Sequence, residues 1–275
     1  MKLIISIPAL LLFICLHGYS QDTIALSKYL GNLKTVEVTI DGKKYNFLFD
    51  SGGGATFIAP SLIRNSGREI FGDGTGYRMS GEKIRFQKTD SITLQLGHTL
   101  LFNQDACVWD IMSVLPTDVP ELYGIISLNS FRNKILTIDL SHSRLIVETP
   151  LSYRKKQMNQ TLLRSRFASG ITANELDVLI SIPRQHHAYW FLFDSGNLDD
   201  LLLSHSTARE WKLESGVDSL RNRLSTIPFH IGNEDLNVQA AANDLIYDGA
   251  LNYDLICRYV FMINFISQEV WMLKE

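Results

Sequence analysis

Apolar and polar residues alternate along much of the chain, in short runs separated by turn-forming residues. The run KTVEVTI places Val36, Val38 and Ile40 on one face, and Asp41-Gly42 follows it directly. Strict alternation predicts half-buried strands, and Asp-Gly between two such runs predicts a tight hairpin. We therefore expect an all-β fold of short strands rather than alternating strands and helices.

One apolar run, FLFDSG, occurs twice, at 47–52 and at 191–196. The similarity extends upstream into an alternating hairpin in both copies. Downstream, SITLQLG matches TIPFHIG, and the segment from Gly124 matches the segment from Gly249 without a gap. Similarity of this extent indicates a tandem duplication of a mostly β unit. In both copies, a short helical turn is expected after the strand that begins at Gly124 or Gly249.

The basic stretch 151–164 belongs to neither copy, and we interpret it as a linker. The predicted architecture is two homologous β-barrel-like lobes, 28–150 and 165–275, with a cleft between them.

Residues 1–20 precede the duplicated unit. They contain a lysine near the start, the apolar run Leu3–Leu16, and small residues up to Ser20. This pattern is typical of a signal peptide cleaved after Ser20, and the run is short for a membrane span. A lipid anchor on Cys15 is the less favoured alternative, because Ile14 is bulkier than the residue that usually precedes a lipidated cysteine. We predict a secreted or periplasmic protein with no membrane span in the mature chain.

The composition, with 45% hydrophobic and 20% charged residues, is that of an ordinary globular protein. The net charge of -3 gives no reason to expect a nucleic-acid partner. Apolar surroundings favour buried thiols over a disulfide for Cys107 and Cys257. His186-His187 reads as a solvated turn, and we predict no metal and no cofactor.

The candidate chemistry lies in the two acidic turns, because Asp50 and Asp194 both end a buried strand. A single Asp-Ser-Gly is usually only a turn. Two such turns in equivalent places of a duplicated unit would meet where the copies pack together. Two adjacent carboxyl groups share a proton, so that one accepts a proton from water while the other donates to a carbonyl oxygen.

The residues beside the aspartates have supporting roles in this hypothesis. Gly52 and Gly196 allow tight turns. The hydroxyl groups of Ser51 and Ser195 are placed to bond across the interface.

The repeated apolar-apolar-Asp-Ser-Gly motif resembles that of the aspartic peptidases. Two copies in one chain resemble the bilobal pepsin-like arrangement. Their short length is closer to retropepsin-like units fused in tandem, as in secreted bacterial aspartyl protease family proteins. The resemblance implies a monomeric endopeptidase with Asp50 and Asp194 as its catalytic dyad. It implies a peptide substrate bound extended in the cleft.

A hairpin that closes over the peptide is a further implication of the resemblance. FGDGTGYRMSGEKIRF is rich in glycine, and Gly74, Gly76 and Tyr77 are its candidate substrate contacts. An ordinary surface loop is the alternative. The equivalent segment of the second copy, 205–224, is predicted to be helical.

Four residues depart from the pattern of the aspartic peptidases. Ser127 and Asn252 stand where a bracing glycine is usual, and Asn252 could replace it if the position requires a positive φ. Gly53 and Asn197 stand where a hydroxyl group often supports the carboxyl group, and the Asn197 amide could do so instead. These departures leave an alternative function open, a catalytically weak or inactive peptide-binding protein of the cell envelope. A serine hydrolase is disfavoured because the Gly-x-Ser-x-Gly elbow is missing.

Overall fold

The computed structural model describes residues 21–103, 106–170, 175–213 and 223–273. The predicted signal peptide, 1–20, lies outside the described residues. Strands dominate, so the chain is mostly β, as the alternation predicted. In the first half they are Asp22–Tyr29 (β1), Leu33–Ile40 (β2), Lys43–Phe49 (β3), Phe57–Ile58 (β4), Ile70–Tyr77 (β5), Lys83–Thr89 (β6), Ile92–Leu96 (β7), Thr99–Asn103 (β8), Cys107–Val108 (β9), Gly124–Ile126 (β10), Ile135–Asp139 (β11) and Arg144–Val147 (β12).

The second half continues in the same way. Its strands are Thr161–Leu163 (β13), Ser165–Ala168 (β14), Asp177–Arg184 (β15), His187–Phe193 (β16), Leu201–Ser204 (β17), Ile227–Ile231 (β18), Glu234–Val238 (β19), Ala240–Asn243 (β20), Gly249–Leu251 (β21), Val260–Asn264 (β22) and Glu269–Leu273 (β23). The α-helices are Pro60–Asn65 (α1), Pro150–Gln157 (α2), His205–Glu210 (α3) and Tyr253–Cys257 (α4), and 3₁₀ helices span Ile111–Val114 and Leu128–Phe131.

The same strand pairing occurs once in each half. β2 and β3 form an antiparallel hairpin, and the end of β3 pairs in parallel with β10, with Phe49 opposite Ile126. β15 and β16 form the equivalent hairpin, and β16 pairs in parallel with β21, with Phe193 opposite Leu251. The predicted hairpin turn is confirmed, because Asp41 and Gly42 both have positive φ, as a type I′ turn requires.

A continuous sheet joins the two halves. β11 pairs with β22, so that Ile135 lies opposite Asn264, and the sheet continues through β12, β1 and β2 to β3. The stretch 151–164 contains most of α2 and the whole of β13. β13 pairs with β23 at the sheet edge. Phe193 and Phe261 pack edge to face at 4.9 Å within the shared apolar core.

The short helical turns after β10 and β21 are confirmed as a 3₁₀ helix and α4. The helix predicted over 205–224 is wrong in extent, because α3 ends at Glu210 and Lys212 follows with φ +55. Residues 214–222 of that prediction lie outside the described residues. Within the described ranges, no helix has the length and apolarity needed to cross a membrane.

Candidate active site

Both acidic turns follow a strand whose last three residues are buried. Phe49 and Phe193, the last residues of β3 and β16, are 1% and 0% exposed. The Asp50 N–H donates to the carbonyl oxygen of Ile126 at 3.0 Å, which continues the parallel pairing into the turn. The ends of β3 and β16 therefore fix where each carboxyl group begins.

The two serines tie the turns together, as the sequence predicted. The Ser51 N–H donates to Ser195 Oγ at 3.0 Å, and the Ser195 N–H donates to Ser51 Oγ at 2.8 Å. Ser51 Oγ in turn donates to the carbonyl oxygen of Phe193 at 2.9 Å. Both serines are buried, so these bonds do not compete with water. Residues 144 positions apart in the chain thus hold each other in one reciprocal clamp.

We expect Ser51→Ala to lower the free energy of unfolding by about 1–3 kcal/mol, because the buried Ser195 N–H then loses its acceptor. Urea unfolding followed by tryptophan fluorescence measures the change. Ser113→Ala is the matched control, since it removes an exposed hydroxyl bond to Asp110 and should change the stability by less than about 0.5 kcal/mol. Equal effects for the two variants would contradict a buried clamp.

Each carboxyl group lies against the glycine of the opposite turn. A Cβ atom added to Gly52 would lie 2.3 Å from Asp194 Cγ, and one added to Gly196 would lie 2.7 Å from Asp50 Oδ1. Within its own turn, Asp50 Oδ1 accepts from the Gly52 N–H at 2.9 Å, and Asp194 Oδ1 accepts from the Gly196 N–H at 2.8 Å. The glycines therefore allow the two turns to approach closely, in addition to shaping each turn.

Burial and mutual repulsion raise the pKa of Asp194 well above its ordinary value. Burial also raises the pKa of Asp50, but the Gly52 N–H and a hydrogen bond from Asp194 favour its ionised form. The two groups titrate as a coupled pair that shares one proton, and the pKa of Asp194 is the one raised further by the charge of its neighbour. The arrangement offers one proton acceptor and one proton donor at the same place.

Ser127 and Asn252 brace the two loops without requiring glycine. Their φ angles are −102° and −108°, so neither position needs the left-handed conformation. Ser127 Oγ donates to the Gly54 carbonyl oxygen at 3.2 Å, and Asn252 Nδ2 donates to the Asp199 carbonyl oxygen at 2.8 Å. The suggestion that Asn252 replaces glycine through a positive φ is therefore wrong, because its side chain supports the loop instead.

The side chain of Asn197 does not provide the carboxyl support that its position suggested. Its backbone N–H donates to Asp194 Oδ1 at 3.2 Å, whereas its side-chain oxygen accepts from the Asp199 N–H at 3.1 Å. The buried Asn197 Nδ2 has no hydrogen-bond partner among the described residues. At Gly53, an added Cβ would lie 3.3 Å from Asp50 Oδ2, so a small side chain there would be close but not excluded.

A cavity of about 140 Å³ adjoins the first acidic turn and brings both halves together. Gly52, Gly53, Gly54, Ala55 and Phe57 line it from the first half, and Glu175, Asp177, Leu192, Ile246 and Tyr247 from the second. The β5–β6 hairpin closes it with Gly76, Tyr77, Met79 and Ile84.

Glu175 and Asp177 are site residues that the sequence did not reveal. Burial raises the pKa of both carboxyl groups, and the charge of Asp177 raises the pKa of Glu175 further. The Tyr247 hydroxyl donates to Asp177 Oδ2 at 2.6 Å, and burial and nearby carboxylates raise the pKa of this tyrosine. The sequence feature that could have pointed to these site residues was the position of Asp177, an acidic residue at the start of an apolar strand.

Two of the predicted hairpin glycines have a packing role. Gly74 lies opposite Phe86 in the β5–β6 ladder, and an added Cβ would lie 2.1 Å from the Phe86 ring. Gly76 lies between Phe86 and Glu175, where an added Cβ would lie 3.2 Å from Glu175 Oε1. Tyr77 lines the cavity but is 63% exposed. The structure thus places Gly76 and Tyr77 at the cavity, and Gly74 beneath an aromatic ring.

The described residues contain no cluster of three or more His, Cys, Asp or Glu side chains arranged to hold a metal ion. No disulfide joins Cys107 to Cys257.

Comparison with known proteins supports similarity of fold alone. The crystal structure of basic 7S globulin from soybean superposes with a TM-score of 0.53 at 8% sequence identity, and the match covers 92% of this chain and 94% of the globulin. No family model matches the sequence. No curated protein matches it either.

These findings correct the family assignment that the repeated motif suggested. Membership of the aspartic peptidases, including the secreted bacterial aspartyl proteases, is wrong as an assignment, because neither a family model nor a related sequence supports it. An identity of 8% to the soybean globulin establishes a shared arrangement of strands and no shared activity.

Proposed function

We propose that the protein is an endopeptidase in which Asp50 and Asp194 share a proton and activate a water molecule. The observation that carries the proposal is the contact of each carboxyl group with the glycine of the opposite turn. The reciprocal serine bonds support it, because they fix the separation of two groups that would otherwise repel each other. The proposal rests on this geometry and on the chemistry of paired carboxyl groups.

In the proposed reaction, the Asp50 carboxylate takes a proton from water as the water oxygen attacks the peptide carbonyl carbon. Asp194 donates its proton to the carbonyl oxygen, and a neutral tetrahedral diol forms. The peptide nitrogen then takes the proton from Asp50, the C–N bond breaks, and one diol hydroxyl returns a proton to Asp194. Both carboxyl groups regain their starting state without a covalent adduct.

The proposal includes the two-lobe arrangement, with an extended peptide lying between 28–150 and 165–275. It also includes export of a monomer from the cytoplasm, because the segment that ends at Ser20 has the pattern of a signal peptide. Amino-terminal sequencing of the exported protein should begin at Gln21. A protein that retains its first twenty residues would contradict this part of the proposal.

Cleavage of a peptide library between pH 3 and pH 8 tests the proposed activity. We expect internal cuts that a statine-type transition-state mimic inhibits, because such a mimic places a hydroxyl group where the attacking water would lie. Peptide binding without any cut would instead support the alternative, a non-catalytic peptide-binding protein. If the protein neither binds nor cleaves any peptide, both functions are contradicted.

Glu175 and Asp177 lead us to expect that peptides with an acidic side chain beside the cut are poor substrates. When ionised, these carboxylates repel a negative charge placed in the cavity. Competition between matched peptides with Glu or Gln at each position near the cut measures the discrimination. The double variant Glu175→Gln, Asp177→Asn should reduce it, whereas unchanged discrimination would contradict a role for these two groups.

A further inference from the structure

Two arginines share one tryptophan ring on the second-half sheet. The guanidinium carbon of Arg166 lies 4.1 Å from the centre of the Trp190 ring, and that of Arg164 lies 5.3 Å from it. Arg166 belongs to β14, at the edge of its sheet, and Trp190 belongs to β16, where it lies opposite Ser181 of β15. The pairing of these three strands therefore brings two positive charges to one indole.

Both arginines are exposed, and neither has an acidic partner. Within the described ranges, their guanidinium groups form no ion pair and no side-chain hydrogen bond. Asp248 lies near the same tryptophan, but its Oδ2 accepts the backbone N–H of Trp190 at 2.7 Å. Cation–π attraction holds each guanidinium group over the indole, and its N–H groups remain available to donate to another ligand.

A cavity of about 390 Å³ extends from Arg164 to the turn between β15 and β16. Ser181, His186 and His187 contribute polar groups to its lining, whereas Leu162 contributes apolar surface. No Asp or Glu of the described part of the chain lines this cavity. Its volume falls in the range of about 300–1,000 Å³ that is common for small-ligand sites. The exposed histidine pair, which the sequence predicted to be a solvated turn, thus borders a cavity that carries positive charge.

The chemistry of this surface fits a phosphate monoester. Such a group carries nearly two negative charges at neutral pH, and its three terminal oxygens can accept from two guanidinium groups at once. A carboxylate has one charge and two oxygens, which a single guanidinium group already satisfies. The apolar part of the lining would contact the organic group of the ester.

We propose that Arg164 and Arg166 form a binding site for a phosphate monoester whose organic group occupies the adjoining cavity. Trp190 holds both side chains in place before the ligand arrives, which lowers the entropy lost on binding. Trp190 precedes Asp194 by four residues of extended chain, or about 13 Å at about 3.3 Å per residue. The site is therefore separate from the two acidic turns, and its ligand binds whether or not the protein cleaves peptides.

Titration of the isotope-labelled protein with phenyl phosphate at pH 7 tests the site. The indole N–H resonance of Trp190, assigned by its absence from Trp190→Phe, should shift until the site is saturated. We expect the double variant Arg164→Gln, Arg166→Gln to weaken binding by at least about 10-fold. Arg154→Gln, at an exposed arginine of α2, is the matched control and should keep the wild-type affinity.

Arg166→Lys should bind with intermediate affinity, because lysine keeps the charge but loses the planar fork. An indole resonance that does not move would overturn the site. An affinity that the double variant leaves unchanged would also overturn it.

Matched probes test the class of ligand. Benzoate carries the same ring on a carboxylate and should bind at least about 10-fold more weakly than phenyl phosphate. Equal affinity for the two probes would overturn phosphate as the ligand.

Vesicles of phosphatidylcholine, with and without phosphatidic acid, distinguish a lipid source of the phosphate from a soluble one. Phosphatidic acid also presents a phosphate monoester. Co-sedimentation that requires both phosphatidic acid and the two arginines would assign the site to a lipid headgroup. Binding of phenyl phosphate without co-sedimentation would assign it to a soluble ester, and binding of neither would overturn the proposal.

Discussion

Asp50→Asn and Asp194→Asn should each lower kcat/KM for a cleaved peptide by about 10²–10⁴-fold, the range over which general acid–base catalysis contributes. Asparagine keeps the shape of the carboxyl group, but it cannot accept the proton of water at position 50 or donate a carboxylic proton at position 194. Initial rates on one peptide selected from the library measure the loss. Asp118→Asn, which changes an exposed carboxylate, is the matched control and should keep the wild-type rate. A dyad variant that cuts as fast as the wild type would rule out the mechanism.

The same Asp194→Asn variant should be more stable than the wild type at neutral pH. The folded-state pKa of Asp194 is raised, so the folded protein retains a proton that the unfolded chain loses near pH 4. The stability that this proton provides is fully present below the unfolded pKa, and it is lost as the pH rises through the folded pKa. Asparagine carries no titrating proton, so its variant escapes this loss.

Urea unfolding at pH 4 and pH 7 compares the two proteins. The difference in the free energy of unfolding, variant minus wild type, should become more positive at the higher pH. Loss of activity together with a gain in neutral-pH stability separates a functional carboxyl group from a structural one, because removal of a structural group would lower both. A stability difference that does not rise between pH 4 and pH 7 would contradict the raised pKa.

Gly52→Ala should have the second large effect, on stability and activity together. The added methyl group would lie 2.3 Å from Asp194 Cγ and 2.8 Å from Asp194 Cβ, so the two turns must separate. Overpacking of this kind costs about 1–3 kcal/mol or more. A shift of about 1 Å between reacting groups lowers the rate by about 10²-fold.

Gly53→Ala is the matched control, since it adds the same methyl group one residue later. Its nearest contact, 3.3 Å from Asp50 Oδ2, requires only a small adjustment, and we expect a loss of less than about 1 kcal/mol. Gly196→Ala should fall between the two, because its Cβ would lie 2.7 Å from Asp50 Oδ1. Urea unfolding of the three variants gives the order of their losses in the free energy of unfolding. Equal losses at Gly52 and Gly53 would show that the turns are not in close contact.

The strands and their local hairpins were largely predictable from the sequence, because alternation and turn chemistry act locally. Asp41-Gly42 specified the β2–β3 turn, and the two copies of FLFDSG indicated that each buried strand ends in an acidic turn. The duplication also predicted that Asp50 and Asp194 occupy equivalent positions, which the matching parallel pairs with β10 and β21 bear out. These inferences needed only neighbours in the chain and the similarity of its two halves.

The tertiary structure decided everything that depends on contact between distant segments. The role of Gly52 becomes evident only when Asp194 lies against it, and the bracing by Ser127 and Asn252 only when their side chains reach Gly54 and Asp199. No local pattern encodes such contacts, since they depend on how two folded halves pack together. The same reason hid Glu175 and Asp177, which are ordinary acids in the sequence. Their pKa values are raised by burial in the folded chain and, for Glu175, also by the charge of Asp177.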